Sequence, residues 1–342
     1  MALEIGLDLG TYKTVIYSGG KVVLEEPTIV TVDSDTFEPV YFGEKAKSSL
    51  GRTPDMLACI RPIESGVISE YDIALSMLKE YMSKAFGNKI IRPKIIACLP
   101  TGLSELQHHS LKQLIEESGG RSASIVETPI AVALAAGVDF DEPKGSMVVD
   151  IGFGTTDIAV ISLGNIVQCD SFKTASYNFD EAIIKYVRRV YNIEIGELAA
   201  ENIKMQIGSV VKRSMEITMV ARGKNLITGM PQTFEITSEE LFEPLFDTAI
   251  TICNAVRKVM EKTDPDMLSD ITEQGIFLAG GGSQINGMAE LLEDFLGVKI
   301  NLLSDPSHSA IKGVSTAFRN PRLIKSVDYQ MRSIKELTIE NI

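Results

Sequence analysis

Histidine is scarce in this chain. His108, His109 and His308 are the only three in 342 residues, too few for a histidine-rich zinc site. Cysteine is scarce too: Cys59, Cys98, Cys169 and Cys253 are widely separated among apolar neighbours. They show neither metal-ligand spacing nor a dense disulfide framework, which favours a reducing cytoplasm. No long apolar run is present. The longest, Ile130 to Val138, is about nine residues, whereas a spanning helix needs about 20. The start, Met1-Ala2-Leu3-Glu4-Ile5, has no basic stretch leading into an apolar one, so no signal peptide is expected. Positive charge is in deficit, 33 Lys and Arg against 46 Asp and Glu, for a net −13. Such a surface repels nucleic acid, and any anionic partner must meet a local basic patch. At 44% apolar and 23% charged residues the composition is that of an ordinary globular protein. The length suits two domains or one large two-lobed one.

What the chain does contain is a repeat. Residues 5–23 read IGLDLGTYKTVIYSGGKVV and residues 147–167 read MVVDIGFGTTDIAVISLGNIV. Asp8 falls on Asp150, Gly10 on Gly152 and Thr14 on Thr156, always 142 residues apart. Each copy is an apolar strand, a turn of acid, glycine and hydroxyl, and a second apolar strand. Glycines and hydroxyls beside a fixed carboxylate suit a turn that brings backbone N–H groups to phosphate. The carboxylates suit a hydrated Mg2+, which keeps its waters and takes one or two acidic contacts. One such turn is usually structural. Two copies half a chain apart predict a duplicated lobe and a cleft that holds a nucleotide from both sides. A third glycine cluster, Gly280-Gly281-Gly282-Ser283, follows a short strand at Gly275 to Ala279 and precedes a helical stretch from about Asn286 to Phe295. A helix N-terminus after a glycine turn favours anions.

Elsewhere the pattern alternates. Strands are expected at Lys94–Leu99 and Met147–Val149, and helices at Ile73–Phe86, Leu106–Ser118, Phe179–Tyr191, Ala199–Gly208 and Glu239–Lys262. The stretch from Val210 to Ile236 reads as strands and turns around Gly223 and Gly229. The expected fold is α/β, with two related lobes around a nucleotide cleft, each carrying a smaller inserted subdomain. Residues 1–30 and 67–140 form the first lobe, with 318–342 returning to it, and 31–66 its small subdomain. Residues 141–176 and 264–317 form the second lobe, and 177–263 its small subdomain.

Together these pieces resemble the actin, sugar kinase and heat-shock-70 superfamily, and within it the MreB-like bacterial actins. The carrying motifs are DLGTYKT at Asp8–Thr14, IRPIESGVI at Ile60–Ile68, LPTG at Leu99–Gly102 and MVVDIGFGTTDIAVISLG at Met147–Gly164. FDEAIIKYVRR at Phe179–Arg189, ENIKMQIGS at Glu201–Ser209 and LAGGGS at Leu278–Ser283 extend the likeness over nearly the whole chain. The resemblance implies an actin-like ATPase fold of four subdomains that binds ATP and Mg2+ and assembles into filaments under the membrane. By family motif, Asp8, Gly10, Thr11, Tyr12, Lys13 and Thr14 form the first phosphate loop. Gly152, Phe153, Gly154, Thr155 and Thr156 form the second, and Asp8 and Asp150 face the metal, through water. Glu201 and Lys204 resemble positions that hold the adenosine, although periodicity alone would make them a solvated helix pair. Gly280, Gly281, Gly282 and Ser283 border the nucleotide from the other side.

Three departures stand out. Lys13 occupies a turn position the family usually fills with asparagine, a mobile cation that reaches either phosphate or water. Phe153 replaces the middle glycine of the second loop and would narrow or cover that edge. The family's water-orienting glutamate precedes a proline; here the residues are Glu127-Thr128-Pro129, so Thr128 takes that place. Thr128 before Pro129 also reads as a helix N-cap with proline first in the helix. A hydroxyl polarises water weakly, so ATP hydrolysis is expected to be slow unless Glu127 substitutes. Thr155 resembles the family's second water-positioning residue.

The resemblance also implies a membrane contact. Ile90 and Ile91 sit where the family places an inserting pair, flanked by Lys84, Lys89, Arg92 and Lys94. The alternative is that they enter the core. The implied partners are further copies of the chain as paired protofilaments, an anionic membrane surface at the inner face of the cell membrane, and cytoskeletal paralogues or membrane shape proteins. Nucleic acid is not among them. Other readings are a metabolic small-molecule kinase, a chaperone, and a nucleotide-binding scaffold that does not hydrolyse; a chaperone would need a peptide-binding domain after the ATPase.

Overall fold

The computed structural model describes residues 4–87 and 93–319. β1 (Glu4–Leu9), β2 (Lys13–Ser18) and β3 (Lys21–Pro27) open it as an antiparallel meander. β4 (Val30–Asp33), β5 (Pro39–Phe42), α1 (Glu44–Ser49) and β6 (Leu57–Ile60) build a small separate sheet. A ribbon of β7 (Ile63–Glu64) and β8 (Val67–Ile68) leads to α2 (Tyr71–Phe86), β9 (Lys94–Leu99), α3 (Glu105–Glu117), β10 (Ser122–Glu127) and α4 (Thr128–Ala136). β9 lies parallel to β1, and β10 to β9, giving a five-stranded sheet of order β10-β9-β1-β2-β3.

The second half repeats this plan. β11 (Ser146–Ile151), β12 (Thr156–Ser162) and β13 (Asn165–Phe172) form the meander. α5 (Ser176–Tyr191), β14 (Ile193–Glu194), α6 (Glu197–Ile207), β15 (Thr218–Asn225), β16 (Pro231–Thr237) and α7 (Ser238–Glu261) follow, with β14-β15-β16 as a second small sheet. After α8 (Pro265–Gln274) come β17 (Ile276–Ala279), α9 (Met288–Leu296), β18 (Ile300–Leu302) and α10 (Ser309–Arg319). The sheet order, β13-β12-β11-β17-β18, is that of the first sheet strand for strand: a central strand, an antiparallel meander of two more on one side and two strands paired parallel on the other. The internal likeness of the sequence is thus a likeness of topology.

Local chemistry sets the element ends. α3 and α7 open on capping boxes, Ser104 with Gln107 and Thr237 with Glu240, which satisfy N-terminal amides that a helix leaves unpaired. α4 corrects an expectation: it begins at Thr128, with Glu127 in the capping position and Pro129 inside the first turn, where a missing N–H costs nothing. The helix expected from Asn286 begins at Met288, because Gly281–Gln284 first make a 3-10 turn and Gly287 caps α9 in the left-handed region.

Each lobe has its own core, and a third joins them. Ile96, Cys98 and Val126 of the first sheet, Val148, Ala159 and Ile161 of the second, α4 and α10 pack as one apolar cluster. The expected boundaries put α10, through residue 317, in the second lobe, and it packs on α4 and against β1, β2 and β9. Gly313 makes this possible, since a Cβ there would sit 1.7 Å from the Ala131 carbonyl oxygen. Among the described residues no helix is long and apolar enough to cross a membrane.

Candidate functional site

The two glycine turns are built by the same hydrogen bond. Gly10 N–H donates to the Lys13 carbonyl at 3.1 Å, and Gly152 N–H donates to the Thr155 carbonyl at 2.9 Å. A Cβ on either glycine would crowd that carbonyl, at 2.9 Å and 3.0 Å. Gly154 lets the turns meet, because a Cβ there would lie 2.9 Å from Thr11 Oγ1. Between them opens a cavity of about 670 Å³ that takes walls from both lobes, from α6 and from Gly280–Gly282. Its size is that of a small-molecule site.

Asp8 and Asp150 each stand one residue before the end of a central strand and line this cavity. Among the described residues neither carboxyl receives a hydrogen bond. Burial lifts Asp8 to about 6. Burial, and then the charges of Asp157 and Asp8, push Asp150 well above the usual carboxylate range. Carboxylates held without donors beside a polar cavity suit a cation. Two carboxylates, one from each lobe, are a donor set that fits a cation keeping most of its waters, as Mg2+ does.

A third carboxylate, Asp157, was missed by the sequence reading. It stands directly opposite Asp150 in the β11–β12 hairpin and also lines the cavity. Its Oδ1 accepts from Thr101 N–H at 3.1 Å and Thr101 Oγ1 at 3.2 Å, and its Oδ2 accepts from Thr155 Oγ1 at 3.2 Å. Hairpin register was the available signal, since residues facing each other across a tight turn share a face.

Glu201 and Lys204 both line the cavity, and each is tied to another element. Glu201 Oε1 accepts from Tyr12 Oη at 2.6 Å, whose own oxygen accepts from Lys47 Nζ at 2.6 Å. Lys204 Nζ donates to Asp180 Oδ2 at 2.8 Å and Ser176 Oγ at 3.0 Å. Tyr12 on Glu201 and Arg61 on Glu197, at 2.8 Å, tie the first lobe to α6 across the cavity's edge, while Lys204 holds α6 to α5. Phe153 packs between the tilted rings of Tyr12, at 5.0 Å, and Tyr177, at 5.4 Å, so its bulk is part of that edge.

Tyr12, Thr11, Phe153, Thr155 and Thr128 lie on the cavity wall, as do Gly280, Gly281 and Gly282. Gly280 has a packing reason too, because a Cβ would meet the Ile151 carbonyl at 2.2 Å. Thr14, Thr156 and Ser283 lie behind the wall. Thr14 bonds Thr28 at 2.9 Å, Thr156 donates to the Thr174 carbonyl at 2.8 Å, and Ser283 donates to the Gly280 carbonyl at 2.7 Å. Glu127 is also outside it, its carboxyl raised by burial and then by the Asp157 charge. Lys13 lines the cavity, and its ammonium pairs with Glu25 at 2.7 Å and meets His308 Nε2 at 3.0 Å. Ile90 and Ile91 lie outside the described residues.

Residues 2–326 match the MreB/Mbl protein family. The cell shape-determining protein Mbl of Bacillus cereus is 37% identical over 321 residues, 93% of this chain and 96% of that one. MreB5 of Spiroplasma citri bound to ADP superposes with a TM-score of 0.88 at 33% identity, covering 93% of this chain and 96% of that one. The same protein bound to AMPPNP gives 0.90 at 32% identity, covering 96% and 99%. Two lobes of one topology, closing phosphate-type turns on a shared cavity, are the actin-like fold, and the chain belongs to the MreB/Mbl family as a bacterial actin of the cytoskeleton.

Proposed function

We propose that the cavity binds ATP and that the ATP-bound chain assembles into paired protofilaments at the cytoplasmic face of the cell membrane, where they control cell shape. The observation that carries this reading is the pair of unpartnered carboxylates, one from each lobe, beside two identically bonded glycine turns on one cavity. The Spiroplasma relative bound to ADP and to AMPPNP supports it, as does the name of Mbl.

Asp8 and Asp150 would hold Mg2+ through its waters, and the ion when bound supplies positive charge against the phosphates. Binding from both lobes favours the closed cleft. Asp157, fixed by Thr101, orients the Thr155 hydroxyl at the wall. Thr128 presents a hydroxyl where a carboxylate would polarise water strongly, so hydrolysis is slow. In this reading residues 31–66 and 177–263 are the two small subdomains. Ile90 and Ile91 insert into an anionic bilayer, and cytoskeletal paralogues or membrane shape proteins are further partners. A small-molecule kinase is not favoured, given the family.

Ultracentrifugation tests the reading. The chain should pellet with Mg2+-ATP and stay in the supernatant without nucleotide. A chain that binds Mg2+-ATP tightly yet never sediments is not a filament protein.

A further inference from the structure

A chain of charged groups runs from α10 to the cavity. Lys312 Nζ pairs with Asp305 Oδ2 at 2.8 Å, and Asp305 Oδ1 meets His308 Nδ1 at 2.9 Å. On the other side of the ring, His308 Nε2 lies 2.9 Å from Glu25 Oε2 and 3.0 Å from Lys13 Nζ. Lys13 Nζ also donates to Glu25 Oε1 at 2.7 Å. Lys13 and Glu25 line the cavity, and His308 stands behind them. Ser307 Oγ, 3.3 Å from Nδ1, is a further polar neighbour. Asp8 is the next charge: burial raises it, and Lys13 and then His308 act against that rise. The Pro306–His308 turn also packs against Gly281–Gln284 and β17, which carry no charged residue.

One nitrogen cannot serve both of its neighbours. To accept from the Lys13 ammonium, Nε2 must be bare; to donate to Glu25, it must carry a proton. Nδ1 faces a carboxylate and keeps its proton either way. The neutral ring therefore holds Lys13 at the wall. The imidazolium bonds Glu25 instead and sets a second positive charge 3.0 Å from the ammonium, a repulsion relieved when Lys13 turns into the cavity. Histidine makes this change in the range of about pH 5 to 8.

We propose that His308 is a proton-operated switch on Lys13, which holds the ammonium at the wall when neutral and releases it toward a bound phosphate chain when protonated. The inference rests on the ATP reading above, since phosphates are what the freed cation meets.

Two measurements on the full chain test it. His308 is one of three histidines, so its ring nitrogens are readable by nitrogen NMR without nucleotide. Above neutrality the ring should carry its proton on Nδ1 and leave Nε2 bare; a proton on Nε2 there overturns the switch. Calorimetry then follows Mg2+-ATP affinity at about pH 6 and about pH 8 in the parent, His308→Gln, Lys13→Met and the double variant. The ratio of parent to His308→Gln affinity should be at least about fivefold larger at the lower pH, the low end of ordinary coupling between two sites. In the Lys13→Met background the same substitution should leave no such difference. A difference that survives without Lys13 would mean that His308 acts directly on Asp8 or the ligand, and overturns the switch. Equal ratios at both pH values overturn it as well. A parent that binds Mg2+-ATP at neither pH sinks the ATP reading and this inference together, whereas the other adverse outcomes leave ATP binding standing. Thermal melting without nucleotide shows that each variant is folded at both pH values.

Discussion

Asp8 and Asp150 hold protons more tightly in the folded chain than in the unfolded one, because burial disfavours their charge. The folded chain therefore binds more protons between the unfolded value of 3.8 and the raised value of about 6 for Asp8. Stability from these groups is present at low pH and is lost as pH rises through that window. The nucleotide-free chain should accordingly melt at a lower temperature at pH 7 than at pH 5, and Mg2+-ATP should reverse the trend. Asp150→Asn should flatten the profile and weaken Mg2+-ATP binding; an unchanged profile with tight binding would contradict the assignment. Hydrolysis is the second residue-scale prediction. Thr128→Glu should raise phosphate release, with general-base factors of about 10²–10⁴ as the scale, and Glu127→Ala should change it little, because Glu127 is off the wall. A parent rate that collapses in Glu127→Ala would reverse the two roles. The turns were legible from their spacing of 142 residues. Asp157 was not, because in TDIAVIS it reads as one more strand residue until register places it opposite Asp150. The Lys13 contact with His308 was not legible either, because the two lie 295 residues apart in the chain.

Among the elements, α6 is held to the first lobe at the cavity's edge by polar contacts, Tyr12 on Glu201, with Lys47 donating to the same Tyr12 hydroxyl, and Arg61 on Glu197. Tyr12→Phe removes the hydroxyl shared by the first two. Bonds to charged partners contribute about 1.5–3 kcal/mol when buried, less at this partly exposed edge. Release of a fluorescent nucleotide, followed by stopped flow, should quicken several-fold in Tyr12→Phe; an unaltered rate would mean the edge does not gate the cavity. The five expected helices and the strand at Lys94–Leu99 were readable to within a few residues because apolar periodicity sets them, whereas short elements such as α1 and α8 were not expected. Their neighbours were harder. α10 follows the second lobe in sequence but docks on the first, a choice made by the bare surface of Gly313 against Ala131, which no local pattern announces.

For the whole molecule, assembly and surface binding are separable. Ile90 and Ile91 replaced together by Ser should abolish co-sedimentation with anionic vesicles while ATP-dependent pelleting persists, since two buried isoleucines contribute about 1.5–3 kcal/mol each and filaments multiply weak contacts. A variant that fails to fold would place the pair in the core instead. The acidic body, net −13, works against that surface, so binding should depend steeply on the apolar pair. The way the lobes are joined has a mechanical consequence. Their seam is apolar and tight, with α10 pressed on α4 so closely that one added carbon has no room, while at the far edge they meet through polar contacts and the Tyr12–Phe153 ring pair. Tight packing resists sliding more than it resists rotation. The seam is thus an axle and each lobe a lever arm, so that a slight turn set by what lies between the glycine turns is geared up into a larger swing at the outer tips.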